Sequence, residues 1–272
     1  MYSLKTKNLF KSYGEKDDLE IVLENIDLEV DSGEFVTLLG PSGCGKSTLL
    51  HIMAGLEDPD AGELFCRGNP IDGPAADRVL IMQEAGLFPW LNVLQNVCFG
   101  LKERGISRQK AEKMAREELE RVDLAEAAEN YPHELSGGMQ QRAALARGLV
   151  LKPEIILMDE PFAALDEQTR LRLQRELIDM WQKRDMTILF VTHSIREALL
   201  LSERVLVMAS NPGKIKKEYE LNFSYPRRPG REEIVSLEKE ILNELAPSLT
   251  AGEQFSPQPA GGGGLKDEKY SA

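Results

Sequence analysis

The sequence has no apolar run that approaches the roughly 18 residues needed for a membrane-spanning helix. Residues 1–14 also lack the apolar core of a secretory signal. Basic residues are outnumbered, because 33 Lys and Arg stand against 45 Asp and Glu and leave a formal net charge of -12. This deficit disfavours a broad attraction to nucleic acid or anionic lipid, although a local contact remains open. We expect the chain to stay in the cytoplasm.

Cysteine is scarce as well. Cys44, Cys66 and Cys98 are odd in number, and their spacing fits neither a zinc site nor a disulfide framework. We therefore expect reduced thiols with a structural role. The 272 residues are 42% hydrophobic and 29% charged, which is typical of a folded chain rather than a disordered one. This length accommodates one large α/β domain with or without a subdomain.

Short apolar runs rich in β-branched residues predict the strands of a parallel sheet covered on both faces. Five such runs begin at Glu34, Arg78, Glu154, Thr187 and Arg204. Helical patterns lie between them, including residues 46–54, 169–184 and 194–201. Because strands and helices alternate, we predict a doubly wound α/β fold.

Two segments break this alternation. Residues 9–14 and 22–30 alternate apolar and polar side chains, which predicts half-buried antiparallel strands. Residues 88–150 show helical periodicity without a strong strand, and this length indicates an inserted helical subdomain. Within it, Ser107 is a predicted N-cap for a charged helix that runs to Val122.

The pattern changes again after Leu221. We predict one domain over residues 1–222 and an extension over 223–246 that docks on it through an amphipathic helix. The residues predicted to share the docked face are Ile234, Leu237, Ile241, Leu242 and Leu245. Residues 247–272 are rich in Pro, Gly and Ser, and for them we predict a disordered tail.

Residues 40–48 read GPSGCGKST and match the phosphate-loop pattern G-x-x-x-x-G-K-[ST] between a predicted strand and a predicted helix. Glycines let backbone N–H groups turn towards phosphate oxygens, and the helix N-terminus adds a favourable dipole. We expect Lys46 to reach the β- and γ-phosphates and Ser47 to ligate Mg²⁺. The predicted nucleotide site comprises Gly40, Pro41, Ser42, Gly43, Cys44, Gly45, Lys46, Ser47 and Thr48.

Two adjacent carboxylates, Asp159 and Glu160, end the apolar run IILMDEP. Burying both without a partner would be costly, so a metal or ligand is expected beside them. Alternation along a strand points them to different sides, which suits one Mg²⁺-associated carboxylate and one water-activating base. Taken alone, the pair also fits a helix cap or a surface pair. The phosphate loop favours the catalytic interpretation.

Gln83 and His193 end two further predicted strands. Ligands of open parallel sheets bind along the edge where such strands end. A single strand-end Gln or His is otherwise a satisfied structural residue. Because several strand ends carry polar groups here, we predict that both belong to the nucleotide site.

A second segment, HELSGGMQQRAALARGL at residues 133–149, also looks like a phosphate-binding helix start. Ser136, Gly137 and Gly138 lead into a helix-forming run, yet this loop has no lysine. One chain would thus carry a complete phosphate loop and an incomplete one.

The sequence resembles the ATP-binding cassette (ABC) ATPases over about residues 2–222. The resemblance rests on GPSGCGKST, Gln83, LSGGMQQR, IILMDEP, AALD at 163–166 and His193, in that order. It implies a P-loop NTPase core with an N-terminal antiparallel β subdomain and the inserted helical subdomain. It also implies that two cassettes pair head to tail, with ATP between the phosphate loop of one and LSGG of the other. Ser136, Gly137 and Gly138 would then face the γ-phosphate across the interface.

The same resemblance implies individual roles. Glu160 would be the general base, and Asp159 would be a Mg²⁺-associated carboxylate. Gln83 would be a catalytic residue that senses the metal and the attacking water, and His193 would be a catalytic residue that contacts the γ-phosphate. Tyr13 would stack on adenine and Asp166 would couple the two sites. Without the resemblance, Tyr13 is simply a half-buried strand residue.

Three phrases, AGLFPWLNVLQNVCFGL, THSIREALLLSERVLVMASNPGKI and YPRRPGR, resemble the ATPase subunits of nitrate, sulfonate, taurine and related importers. Polyamine, sugar or phosphonate importers share much of the remainder. The resemblance implies a homodimer on the cytoplasmic face of the cell membrane, bound to integral-membrane permease subunits. An extracytoplasmic solute-binding protein would be an indirect partner. Leu87, Phe88, Pro89 and Trp90 would contact a permease helix, although Leu87 and Phe88 also suit the core.

Other function classes predict different sequence features. A non-transport ABC ATPase acting on nucleic acid or ribosomes usually carries a long coiled-coil insertion or a second cassette, and we see neither. A P-loop small-molecule kinase would leave LSGGMQQR unexplained. We therefore expect an ATPase that drives uptake and does not bind nucleic acid.

Overall fold

A computed structural model describes residues 2–14, 18–183 and 186–249. Its first sheet has four strands: β1 (Tyr2–Tyr13), β2 (Glu20–Asp31), β4 (Ala61–Cys66) and β5 (Asn69–Pro70). They are ordered β2-β1-β4-β5, and every pair is antiparallel. This sheet confirms the prediction from the alternating pattern of the opening segment. Strands β4 and β5 were not predicted, because their short, Gly- and Pro-containing sequences carry little periodicity.

The second sheet has six strands: β3 (Phe35–Leu39), β6 (Arg78–Ile81), β7 (Ile155–Asp159), β8 (Thr187–Thr192), β9 (Arg204–Ala209) and β10 (Lys214–Glu220). They are ordered β10-β9-β3-β8-β7-β6. All neighbours are parallel except β10, which pairs antiparallel with β9. The five predicted core strands are confirmed. Strand β10 was missed because its sequence, KIKKEYE, is that of a charged edge strand rather than a buried one.

Seven α-helices and a short 3-10 helix (Pro132–Glu134) complete the described fold. The α-helices are α1 (Lys46–Ala54), α2 (Val93–Glu103), α3 (Arg108–Arg121), α4 (Gly137–Leu149), α5 (Glu167–Lys183), α6 (Ile195–Leu201) and α7 (Glu232–Leu249). Helices α2, α3 and α4 occupy the stretch predicted to be helical. A capping box of Asn92 and Gln95 begins α2. Ser107 is the N-cap of α3 and Val122 its C-cap, as predicted, although the Ser107 side chain makes no capping hydrogen bond.

The parallel sheet lies in the middle of the core. Every residue of β3, β7 and β8 is buried. Because side chains alternate along a strand, Ile156 and Met158 join the apolar cluster that includes α2, α4 and α5, whereas Ile155 and Leu157 join the cluster around α1 and the antiparallel sheet. Both faces of the sheet are therefore covered.

Helix α7 docks on α6 and β9. Ile234, Ile241 and Leu245 are buried as predicted, and Leu237 packs against the same cluster. The prediction for Leu242 is wrong, because this side chain is 42% exposed. It follows Ile241 directly and is therefore rotated by about 100° away from the docked stripe.

The start of the predicted tail is also wrong. Helix α7 continues past Pro247 to Leu249, because the change in composition does not coincide with the end of the docked helix. The remainder of that predicted tail, residues 250–272, lies outside the described residues.

Candidate functional site

The phosphate loop connects the buried strand β3 to α1. Gly45 adopts a left-handed conformation with φ 91°, and a Cβ there would lie 2.6 Å from Leu23 Cδ2. A Cβ on Gly40 would lie 2.8 Å from Cys44 Sγ and 2.9 Å from the Met208 carbonyl oxygen. Both positions therefore require glycine. Helix α1 begins at Lys46, so its unpaired N-terminal N–H groups face the loop.

Lys46 is a buried cation held inside this loop. Its Nζ donates to the carbonyl oxygens of Gly40 at 2.9 Å and Pro41 at 2.8 Å. Cys44 Sγ lies 3.9 Å from the same Nζ, and burial raises the pKa of the Cys44 thiol. All three cysteines are free and buried, as the sequence predicts.

Two carboxylates at the end of β7 occupy different environments. Asp159 is buried, and within the described structure its Oδ1 has no hydrogen-bond partner. Burial raises the pKa of Asp159, while the Ser47 hydroxyl opposes that rise. The next residue, Glu160, turns into a left-handed conformation with φ 43°, and its N–H donates to the Val191 carbonyl at 3.0 Å. The chain thereby leaves the strand and directs the two side chains differently.

Glu160 and His193 form the central pair of the site. Glu160 Oε2 lies 2.9 Å from His193 Nδ1. This hydrogen bond lowers the pKa of Glu160 and raises the pKa of His193. The two residues follow neighbouring parallel strands, β7 and β8, so the sheet itself brings them to one edge.

An open cleft of about 530 Å³ lies along this edge. It is lined by Tyr13, Val22, Ser42, Gly43, Gly45, Lys46, Ser47, Thr48, Gln83, Glu160 and His193. The Tyr13 ring is half exposed at its rim, and its hydroxyl bonds the Glu57 carboxylate. Residues that are far apart in the chain are therefore assembled into one cleft.

The second helix start lies elsewhere. Ser136 caps α4, and its Oγ accepts from the Met139 N–H at 3.3 Å. Asp166 accepts from the Thr169 N–H at 3.0 Å before α5. Among the described residues, neither these two nor Gly137 and Gly138 line the cleft that contains Lys46. The phosphate loop and the LSGG segment therefore do not form one pocket within a single chain.

Residues 23–163 match the family model of the ABC transporter. The chain belongs to the ABC transporter family. It is an ATP-binding ABC ATPase. An uncharacterised ABC transporter ATP-binding protein of Methanocaldococcus jannaschii is 47% identical, with 89% of this chain and 91% of that protein covered.

Further relatives carry importer names. A nitrate import ATP-binding protein from Synechocystis is 46% identical, with 78% of each chain covered. An aliphatic sulfonates import ATP-binding protein from Bacillus cereus is 44% identical, with 82% of this chain and 88% of that protein covered. Among solved structures, a dimeric post-hydrolysis state of an ATP-binding cassette with ADP and Pi has a TM-score of 0.76. It is 32% identical, and 81% of this chain and all of that chain are covered.

The segment after β6, residues 87–90, contains both residues that pack against the core and a residue that is exposed. Leu87 packs against the core, and Phe88 is partly buried with its N–H bonded to Asn96. Trp90 is 70% exposed, and its ring centroid lies 5.5 Å from that of Phe88. Within the described part of this ABC ATPase, no helix has the length and apolarity of a membrane span.

Two residues of the site could not be found from the sequence. Val22 lines the cleft and Glu57 holds the Tyr13 hydroxyl. Neither belongs to a recognisable motif, because each is placed by the way the antiparallel sheet packs beside α1.

Proposed function

We propose that this ABC ATPase is the ATP-hydrolysing subunit of an importer. The solute that we infer is nitrate, a sulfonate, taurine or a related small compound. The names of the nitrate and aliphatic sulfonates import relatives support this class, as do the matching sequence phrases after Gln83 and around His193. Because the acidic chain offers no general attraction for nucleic acid, a transport role is favoured over a DNA- or ribosome-associated one.

The contact that carries the hydrolytic proposal is the 2.9 Å pair of Glu160 and His193 beside Lys46. Glu160 remains ionised and accessible from the cleft, so it can accept the proton of an attacking water. His193 would contact the γ-phosphate and orient Glu160 through the same hydrogen bond. Lys46 and the loop N–H groups would bind the phosphates, while Tyr13 would provide a stacking face for adenine.

The residues present fit Mg²⁺. Among the described residues, Asp159 Oδ1 is buried and has no hydrogen-bond partner, and the Ser47 hydroxyl lowers the pKa of the same carboxyl group. The described residues contain no cluster of three or more His, Cys, Asp or Glu that would form an all-protein metal cage. Mg²⁺ bound to ATP typically uses few protein ligands together with phosphates. We assign Ser47, Asp159 and Gln83 to it; when bound, the ion would neutralise phosphate charge.

The separation of LSGG from the cleft supports a homodimer. Ser136, Gly137 and Gly138 would complete the site of a second copy, with Asp166 near the interface. The incomplete loop then needs no lysine, because the partner's phosphate loop contributes the cation.

The exposed Trp90 supports a permease contact. We infer a peripheral position at the cytoplasmic face of the membrane, bound to integral-membrane subunits and, through them, served by a solute-binding protein. We propose a division into a domain over residues 1–222, with its helical insertion at about 88–150, and an extension from residue 223 that carries α7 (Glu232–Leu249).

Co-purification from solubilised membranes tests the importer assignment. The tagged chain should be recovered with integral-membrane subunits. Trp90→Ala should weaken that recovery, whereas Leu242→Ala, which removes another exposed apolar side chain, should not. Recovery with ribosomes or DNA instead of membrane subunits would overturn the importer proposal.

A further inference from the structure

A buried polar network connects the two loops that carry Glu160 and His193. Thr192, immediately before His193, donates from Oγ1 to Glu197 Oε2 at 2.6 Å. Thr192 Oγ1 also accepts from the Ser194 N–H at 3.0 Å. The backbone on both sides of His193 is therefore tied to the carboxylate of Glu197.

The second oxygen of Glu197 faces α5. Its Oε1 accepts from Gln174 Nε2 at 3.0 Å and lies 4.0 Å from Arg170 Nε. The Arg170 guanidinium also donates to the carbonyl oxygens of Phe162 at 3.3 Å and Leu165 at 2.8 Å. Those carbonyls belong to the loop between Glu160 and Asp166. One carboxylate thus connects the loop after β7 with the loop after β8.

Removing the Glu197 carboxylate from water costs free energy. The Glu197 side chain is only 14% exposed, and burial raises its pKa. A carboxylate in such a place is retained only with hydrogen-bonding partners, and it specifies the arrangement of those partners. Glu197 does not itself belong to the described lining of the nucleotide cleft. Its partners, however, flank both members of the central pair.

We propose that Glu197 is a positioning residue for hydrolysis. Through Thr192 it fixes the loop that carries His193, and through Arg170 it fixes the loop that follows Glu160. The proposal rests on the proposed function, in which Glu160 is the base and His193 contacts phosphate. Loss of the link lets either loop shift, and a small misplacement of reacting groups slows chemistry far more than it weakens ATP binding by the phosphate loop.

The main experiment compares Glu197→Gln with Glu34→Gln in steady-state ATP hydrolysis by the full chain. Glu34 is the matched control, because its side chain is also 14% exposed and its Oε1 accepts from Arg204 Nη1 at 2.7 Å outside the cleft. Glutamine keeps the size of each side chain but replaces an acceptor with a donor. We expect Glu197→Gln to lower kcat by about tenfold to a hundredfold with KM for ATP changed less than about threefold. Glu34→Gln should leave both constants within about twofold of the parent.

A second variant, Thr192→Val, breaks the same link without altering the carboxylate, so it serves if Glu197→Gln folds poorly. It should reproduce the selective loss of kcat. Unchanged kcat in a folded Thr192→Val or Glu197→Gln protein refutes the positioning role, as does an equal loss of activity in Glu34→Gln. Glu160→Gln and His193→Ala, assayed in parallel, distinguish the two proposals. If they lose turnover, only the positioning role has failed; if they do not, the proposed catalytic roles have failed.

Discussion

Asp159 and Glu160 are neighbours with the same functional group but different surroundings. Asp159 is the last residue of a fully buried strand, so burial dominates its pKa. Glu160 has already turned out of the strand and pairs with His193, so a hydrogen bond dominates its pKa. The first suits a metal-associated carboxylate and the second a base that stays ionised. Their division of roles follows from one change of backbone direction.

Glu160→Gln tests the base directly. The substitution preserves size but removes the proton acceptor, so turnover should fall by about a hundredfold or more. ATP binding should persist, and an ATP-bound dimer should accumulate. Glu154→Gln, before the same strand, is the control because Glu154 is exposed. Hydrolysis rates and size-exclusion chromatography with ATP provide the readout; near-normal hydrolysis by Glu160→Gln would contradict the role.

The Glu160–His193 pair also predicts a pH-dependent contribution to folding. Because the pKa of His193 is raised in the folded state, its contribution to the free energy of unfolding is complete below the ordinary pKa of 6.5. That contribution is lost as pH rises through the folded-state pKa. Because the pKa of Glu160 is lowered in the folded state, its contribution to the free energy of unfolding is complete above the ordinary pKa of 4.5. That contribution is lost as pH falls through the folded-state pKa. The pair therefore stabilises most between those limits.

Thermal melting of the parent and His193→Gln should show this window. The difference in Tm between the parent and His193→Gln should be larger near pH 6 than near pH 8, which lie about one pH unit below and above neutrality. His133→Gln, at an exposed histidine beside Tyr131, is the control. A difference in Tm that does not vary with pH would show that the pair makes no titrating contribution.

At the scale of elements, α7 shows how one helix can place adjacent apolar residues in opposite surroundings. Ile241 is fully buried against the cluster of α6 and β9, whereas Leu242 is 42% exposed. Lys217 and Glu240 add an ion pair at 2.9 Å beside this contact. That exposed pair contributes little, because solvent screens it. Apolar burial therefore contributes most of the stability with which α7 docks.

Paired alanine substitutions test this docking. Ile241→Ala should reduce the free energy of unfolding by about 2–5 kcal/mol, because it leaves a cavity. Leu242→Ala should change it by about 0.5 kcal/mol or less. Urea denaturation gives the totals, and hydrogen exchange of α7 amides shows whether loss is local. Equal effects of the two substitutions would contradict the docked orientation.

At the scale of the whole molecule, the proposed site is divided between two copies. Pairing Lys46→Ala with Ser136→Arg subunits should leave one composite site intact in the heterodimer. The matched control places both substitutions in one subunit and pairs it with an unsubstituted copy, which should leave no intact site. ATP hydrolysis by dimers of controlled composition is the measurement. Activity confined to the control pairing would show that LSGG acts within its own chain.

The sequence by itself determined most of the fold and most of the members of the proposed site. Core strands are recognisable because both faces of the sheet are covered, which demands continuous apolar runs at β3, β7 and β8. The phosphate loop is recognisable because neighbouring atoms leave no room for a side chain at Gly40 or Gly45, and Gly45 also has a left-handed backbone. Edge strands such as β10 escaped detection, since half-exposed strands tolerate charge.

Only the tertiary structure decided which of these residues meet. Parallel pairing of β7 and β8 brings Glu160 to His193, although 33 positions separate them in the chain. Packing of the antiparallel sheet adds Val22 to the cleft, and helix rotation exposes Leu242 while it buries Ile241. The network around Glu197 likewise depends on α5 lying beside α6. Local patterns encode backbone conformation and burial, whereas contacts between distant residues arise only when the sheet order and helix packing are established.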